Sequence, residues 1–133
     1  METPGPGIAR ILLVDDEPPL LKMMAVYLQR LGYSTTTSSS TEKALALVRA
    51  DPGSFAIAVL DATMEGLSME ELARELLRAN ASLRVLAASG YPVDMSTLEA
   101  AAPGRVGFLL KPFSPEMLAN SLRRMLAGQE EDV

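Results

Sequence analysis

The chain contains no cysteine and no histidine. Without cysteine it can form no disulfide, no thiolate metal site and no thiol nucleophile. Without histidine it lacks imidazole bases and the usual protein ligands of zinc and iron. These two absences exclude large classes of enzyme.

Basic residues and long apolar runs are also scarce. Acidic residues outnumber basic ones, with a net charge of −5 and a pI near 4.7, which argues against a surface for direct nucleic-acid binding. No apolar stretch is long enough to predict membrane insertion. Residues 1–8 lack the basic and apolar regions of a signal peptide. We therefore expect a cytoplasmic protein that begins with a flexible lead-in.

Length and composition predict one globular domain. The chain has 133 residues, of which 48% are hydrophobic and 22% charged, enough for one core but not for a second domain of ordinary size. We place the domain at residues 9–127. Residues 128–133 are predicted to form an acidic tail.

Strand-like and helix-like patterns alternate along the chain, which predicts an α/β fold with a parallel sheet. Four apolar runs suit strands covered on both faces, at 11–14, 56–60, 83–88 and 106–110. A threonine-rich segment at 33–38 predicts a weaker strand. A helix-like segment follows each strand. In the first of these segments the apolar residues at helical spacing are Leu20, Met24, Leu28 and Leu31. The least regular helix is predicted at 93–102.

The most informative polar residues fall where the predicted strands end. They are Asp15 and Asp16 after the first strand in the chain, Asp61 at the end of the third, Ser89 at the end of the fourth and Lys111 at the end of the fifth. Each has an ordinary explanation as a helix cap, turn residue, loop hydroxyl or surface lysine. None of these explanations accounts for all five residues falling at the ends of predicted strands. Ligands of open parallel sheets bind outside the carboxyl ends of the strands, where these residues would converge.

The chemistry of this set points to phosphoryl transfer. Three carboxylates in one cleft repel each other and raise their pKa values unless a cation is present. Oxygen ligands with room for water suit Mg²⁺. Lys111 adds a mobile positive charge suited to a phosphoryl oxygen. A carboxylate can accept the phosphoryl group as an aspartyl phosphate, and Asp61 is the candidate.

From residue 10 to residue 126 the sequence resembles the receiver domains of response regulators in two-component signalling. Four segments carry the resemblance, in the family's order and spacing: the acidic pair in 13–17, the phosphoacceptor strand end in 60–64, the hydroxyl in 89–91 and the lysine motif in 111–113. The resemblance implies one doubly wound (βα)5 flavodoxin-like domain. Its parallel five-stranded sheet would have the order 2-1-3-4-5.

The resemblance also implies a metal site. Asp16, Asp61 and the main-chain carbonyl of Thr63 would bind Mg²⁺, and Asp15 would act largely through water. The domain would be a phosphoacceptor switch rather than an enzyme with a separate substrate. Its partners would be a sensor histidine kinase or phosphotransfer protein and a downstream protein.

Further expectations concern the phosphoryl group and its readout. By resemblance, Ser89 and Lys111 would hold the phosphoryl group and Phe108 would move with Ser89, changing the surface formed by helix 4, strand 5 and helix 5. The bond between Lys111 and Pro112 is predicted to be cis. Segments 89–91 and 107–113 are most similar to receivers attached to hybrid sensor kinases.

Three positions depart from the family pattern. Glu65 stands where proline is usual, which predicts a looser loop and an extra negative charge near the acceptor. Met69 replaces a common glycine and puts the start of helix 3 in question. Ser89 replaces the more frequent threonine, but its hydroxyl can make the same hydrogen bond.

Three other functions are consistent with parts of this pattern. Haloacid-dehalogenase-like phosphatases also use an aspartyl nucleophile, but in an Asp-x-Asp motif after strand 1, where this chain has Asp15, Asp16 and Glu17. A flavodoxin would place a flavin phosphate where these acids would repel it. A degenerate receiver, serving only as an interaction surface, is favoured by Glu65 alone.

Overall fold

The computed structural model describes residues 9–131, with side chains described up to residue 127. Residues 1–8 and 132–133, which belong to the predicted lead-in and tail, lie outside this range. Strands and helices alternate in the order β1 (Arg10–Val14), α1 (Pro18–Arg30), β2 (Ser34–Ser38), α2 (Thr41–Ala50), β3 (Ile57–Asp61), α3 (Met69–Ala79), β4 (Arg84–Ser89), α4 (Ser96–Ala101), β5 (Val106–Leu110) and α5 (Pro115–Glu131). In this range no helix is long and apolar enough to cross a membrane.

The strands form one parallel sheet of order β2-β1-β3-β4-β5, as predicted. The central strands β3 and β4 are buried along their whole length, which is why they read as continuous apolar runs. β2 lies at an edge and is partly exposed, which explains why a strand of serine and threonine suffices there.

Helices cover both faces of the sheet and divide the core into two layers. Along β1, Ile11 and Leu13 pack toward α1 and α5, whereas Leu12 and Val14 pack toward α2, α3 and α4. This alternation follows from the two-residue period of a strand. It is the doubly wound arrangement expected from the sequence.

The helices differ from the predictions in two places. In α1 the predicted apolar stripe ended at Leu31, but Leu31 is the C-cap and is 43% exposed, because Gly32 turns the chain there with φ of +102°. The fourth helix is shorter than the predicted 93–102, since it spans only Ser96–Ala101 and buries only Leu98 within that span.

The start of α3 is well defined despite Met69. The Ser68 side chain caps the amide of Glu71, and the Glu71 side chain accepts from the amide of Ser68. This reciprocal capping box satisfies two amides that a helix otherwise leaves unpaired. The helix begins at Met69, so the missing glycine does not disturb it.

Candidate functional site

An acidic cluster lies at the carboxyl end of the sheet, as predicted. β1 and β3 are neighbours with Val14 opposite Leu60, so the residues that follow meet at the same edge. Carboxylate oxygens of Asp15, Asp16 and Asp61 all lie within 4.8 Å of one another. Asp15 and Asp61 are buried and Asp16 is exposed, which leaves the cluster open to solvent on one side.

The amine of Lys111, which directly follows the edge strand β5, joins this cluster. Its Nζ lies 3.1 Å from Asp15 Oδ2 and 3.5 Å from Asp61 Oδ1. The peptide bond between Lys111 and Pro112 is cis, which confirms the prediction. The Lys111 backbone N–H donates to the carbonyl of Ser89 at 2.7 Å, tying the ends of β4 and β5 together.

Burial and charge act differently on the two partners of this ion pair. Burial raises the pKa of Asp15, and hydrogen bonds from Lys111 and the Glu17 N–H oppose that shift without cancelling it. Burial lowers the pKa of Lys111, but its hydrogen bond to Asp15 and the charges of Asp15 and Asp61 outweigh burial and raise it. Burial prevails for Asp15, whose side chain is 4% exposed, and the attraction of the pair prevails for Lys111, whose side chain is 21% exposed.

Mutual repulsion of the three carboxylates predicts raised pKa values. For Asp15 the direction is right, but burial is the largest cause and the nearby charge of Asp61 is a smaller one. Burial dominates because Asp15, directly after β1, lies inside the fold. Burial raises the pKa only of carboxylates that are removed from water, whereas repulsion would also act on exposed ones.

The two carboxylate oxygens of Asp61 have different surroundings. Oδ1 accepts from the Thr63 backbone N–H at 3.2 Å and from the Thr63 hydroxyl at 3.1 Å, and it faces Lys111. Among the described residues no donor contacts Oδ2, and Oδ2 is not one of the fully buried atoms that lack a partner. Oδ2 is therefore the oxygen open to an incoming ligand.

Ser89 is less directly placed than its sequence position suggests. Asp61 pairs with Ala88 in the sheet, so Ser89 lies one residue beyond the acceptor. Its side chain is fully buried and its Oγ accepts the N–H of Tyr91 at 3.2 Å, with no hydrogen bond to Asp61. The described residues offer no acceptor for the Ser89 hydroxyl hydrogen, but the buried side chain would have to move before that hydrogen could reach a ligand.

Phe108 is neither a fully buried core residue nor a free surface residue. It lies in β5 opposite Ala87 and packs, partly buried, against the core layer of α2, α3 and α4. Leu110, two residues further along β5, is 48% exposed, and Tyr91 in the loop after β4 is 62% exposed. The predicted readout surface therefore carries exposed apolar area beside a half-buried ring.

The sequence matches the response regulator receiver domain family over residues 11–123. The chain belongs to that family. This assignment decides against the phosphatase and flavodoxin alternatives. Within the family the receiver is 32% identical over 124 residues to the sensor kinase CckA of Brucella abortus, covering 93% of this chain and 13% of CckA. The chain spans between 13% and 53% of the length of the first curated relatives that it matches.

Solved structures show the same relationship. The receiver domain of the hybrid histidine kinase CckA is 25% identical, with a TM-score of 0.76 over 89% of this chain and 99% of that one. The response regulator TrrA of Thermotoga maritima, solved in complex with Mg²⁺-BeF, is 28% identical, with a TM-score of 0.72 over 89% and 99%. The likeness to CckA agrees with the resemblance to receivers of hybrid kinases.

The residues of this receiver fit a magnesium ion. The clustered donors are all carboxylate oxygens, which Mg²⁺ prefers, and the exposed side of the cluster leaves room for its waters. Lys111 contacts two of the three clustered carboxylates, so a divalent cation would balance the negative charge that Lys111 leaves uncompensated.

Thr41 and Glu42 lie beside the site and are not predicted by any motif in the sequence. The hydroxyl of Thr41, in the first turn of α2, hydrogen-bonds the loop between β3 and α3, and Glu42 lies next to it. The loop therefore has a partner at the point where Glu65 predicted looseness. No sequence signal identified this contact, because it joins residues separated by 26 positions.

Proposed function

We propose that this receiver accepts a phosphoryl group on Asp61, with Mg²⁺, from a sensor histidine kinase or phosphotransfer protein. The domain that does so comprises residues 9–127. The observation that carries the proposal is the convergence of Asp15, Asp16, Asp61 and Lys111 at one edge of the sheet. A degenerate receiver would have no need for this set, whose buried charges cost stability.

The transfer uses the free oxygen of Asp61. Oδ2 attacks phosphorus, forming an O–P bond while the P–N bond of the phosphohistidine breaks. The imidazole nitrogen keeps the bonding electron pair and takes up a proton. Lys111, whose raised pKa keeps it charged at neutral pH, would bind one phosphoryl oxygen. The Ser89 hydroxyl would donate to another after the β4–α4 loop moves.

The metal site uses this chain's carboxylates. Asp16, Asp61 and the Thr63 carbonyl would hold Mg²⁺, with Asp15 acting largely through water. The bound ion would neutralise charge on the phosphoryl oxygens. TrrA, solved with Mg²⁺-BeF, supports such a site in a relative of 28% identity.

Labelling by a small phosphodonor tests this function. Acetyl phosphate with Mg²⁺ should add one phosphoryl group to the purified chain, detected by intact-mass spectrometry, and EDTA should prevent it. Beryllofluoride should shift the amide signals of Asp61 and its neighbours. If neither reagent acts in the presence of Mg²⁺, the chain is a degenerate receiver and the proposal is wrong.

The exposed Glu65 should weaken Mg²⁺ binding modestly through its charge. Glu65→Gln is expected to lower the Mg²⁺ dissociation constant about two- to fivefold, the scale of an exposed charge interaction, and the gain should shrink at high salt. Glu65→Pro should add little beyond the charge effect because Thr41 already holds the loop. Calorimetric Mg²⁺ titration measures both.

A matched control for Glu65 is Asp51→Asn, an exposed acid at the end of α2. This variant changes the net charge equally and should leave the Mg²⁺ dissociation constant unchanged. Equal affinity in all the variants would make the departure at position 65 neutral. Tighter binding by Glu65→Pro alone would show that backbone freedom, not charge, is the cause.

Readout of phosphorylation should involve Ser89, Phe108 and α4. A phosphoryl group adds about −1.5 to −2 charges and three acceptor oxygens, and movement of Ser89 toward them would pull on the loop that leads into α4. That movement would vacate space beside Phe108, whose ring is only partly buried. Such a two-state element converts a local charge change into a new surface. Beryllofluoride with Mg²⁺ should shift the signals of Phe108 and residues 93–102.

Ser89→Ala separates the switch from phosphorylation. This variant should still bind beryllofluoride at Asp61, but the shifts at Phe108 and 93–102 should fall to less than about half, because one bond to the new oxygens is lost. Shifts in the wild type that stay within the acidic cluster would refute the switch while leaving phosphorylation intact.

A further inference from the structure

Thr41 lies at the first residue of α2 and reaches across to the loop that follows the phosphoacceptor. Its side chain is buried, at 2% exposure, although threonine at a helix start is usually solvated. The backbone N–H of Leu67 donates to its hydroxyl oxygen at 3.0 Å. The first turn of one helix therefore holds the approach to the next.

The hydroxyl hydrogen of Thr41 has two acceptors within reach. Oε1 of Glu42 lies at 3.0 Å and the carbonyl of Glu65 at 3.4 Å. The carboxylate is both closer and charged, so it takes the hydrogen and leaves the lone pairs of the hydroxyl facing Leu67. A chain of bonds then runs from the Leu67 N–H through Thr41 to Glu42, and each bond polarises the next.

Gly66 shows how closely the loop is seated on this hydroxyl. Its φ is +95°, a conformation that favours glycine. A Cβ at Gly66 would lie only 2.5 Å from the Thr41 hydroxyl oxygen and 2.8 Å from Oε2 of Glu42. The loop backbone passes directly over the start of α2, and no side chain fits between them.

We propose that Thr41 is a positioning residue for the magnesium and phosphoryl site. The loop is tied at Leu67 by Thr41 and at its other end by Thr63, whose N–H and hydroxyl hold Asp61 Oδ1. Only residues 64–66 separate these ties, so Thr41 sets where Thr63 can lie. This inference rests on the proposed function, in which the Thr63 carbonyl is a metal ligand.

Thr41→Val tests the proposal because it removes the hydroxyl but keeps the shape. The Mg²⁺ dissociation constant should rise about tenfold, the scale found when a group that orients metal ligands is lost. Labelling by acetyl phosphate should slow about tenfold at low Mg²⁺ and recover toward the wild-type rate at saturating Mg²⁺. The Leu67 amide should also exchange about tenfold faster with solvent.

Two variants separate positioning from general stability. Thr41→Ser keeps the hydroxyl and should restore most of the Mg²⁺ affinity and the protection of Leu67. Thr36→Val removes a half-buried hydroxyl that accepts from Arg10, away from the loop, and should leave both readouts unchanged. Should Thr41→Val fail to fold, Thr41→Ala replaces it in the same comparison.

The outcomes distinguish this inference from the proposed function. If the wild-type protein is not labelled, the proposed phosphorylation is contradicted. Mg²⁺ affinity and hydrogen exchange at Leu67 still test the positioning role of Thr41 in that case. Unchanged Mg²⁺ affinity in a folded Thr41→Val protein overturns the positioning role. A Leu67 amide that exchanges in the wild type as fast as an exposed amide overturns it without any variant.

Discussion

Asp61→Asn is expected to abolish labelling by acetyl phosphate, with a fall of at least about 1,000-fold to background. The amide has the shape of the carboxylate and can still accept the two donors of Thr63, but it lacks the anionic oxygen that attacks phosphorus. The fold should persist, because the substitution removes charge from a buried position rather than adding it. Phosphoryl incorporation by intact mass measures the effect.

Asp51→Asn is the matched control for Asp61→Asn. Asp51 is exposed and lies at the C-cap of α2, and the same chemical change there should leave labelling at the wild-type rate. Circular dichroism should show that both variants are folded. Labelling of Asp61→Asn at the wild-type rate would place the phosphoryl group on another residue and overturn the proposed function.

Lys111→Met is expected both to destabilise the fold and to slow phosphorylation. Removing the amine leaves Asp15 and Asp61 buried without their shared cation. Breaking a fully buried pair costs about 3 to 5 kcal/mol, and the 21% exposure of the Lys111 side chain reduces our expectation to about 2 kcal/mol. Urea unfolding without Mg²⁺ measures this loss, and labelling should slow about 100-fold.

The loss of stability in Lys111→Met should depend on pH in a defined direction. Burial already raises the pKa of Asp15, and loss of the opposing contacts of Lys111 should raise it further. The folded state then binds this proton more tightly than the unfolded chain, so the contribution of Asp15 to stability is greatest below its ordinary pKa of 3.8. It should fall as the pH rises from that value through the raised pKa of the folded state.

Lys43→Met provides the comparison for Lys111→Met, since Lys43 is exposed in the first turn of α2. That variant should keep the wild-type stability within about 0.5 kcal/mol. If Lys111→Met matches it in stability and in pH dependence, the buried carboxylates do not depend on Lys111. Unchanged labelling would separately contradict contact between Lys111 and the phosphoryl group.

The strand ends show how much of the site could be predicted from sequence. Asp15, Asp61 and Lys111 each follow or end an apolar run, and parallel strands have their carboxyl ends at one edge. Their convergence therefore required only the pattern of runs. The order of the sheet and the roles of single residues came from resemblance to a family. The family and the fold are confirmed, whereas the residue roles stay predictions.

Distances and burial were beyond prediction from the same pattern. The pattern of runs places Asp15 and Asp16 together after β1 and does not predict their burial, yet Asp15 is buried against Lys111 and Asp16 is exposed. Leu31 continued a helical spacing yet lies exposed at the end of α1. In both cases a neighbour in space, or the end of an element, changed the environment of a residue whose local pattern was unaltered.

Local patterns along the chain are enough to predict the alternation of strands and helices, the two-sided burial of the sheet and the acids and lysine at its carboxyl edge. Those features follow from local periodicity and from the geometry common to parallel strands. Packing in three dimensions leaves Oδ2 of Asp61 as the open oxygen and brings Thr41 against the loop at Leu67. Those contacts depend on atoms brought together by packing, where differences of about one ångström separate a hydrogen bond from none.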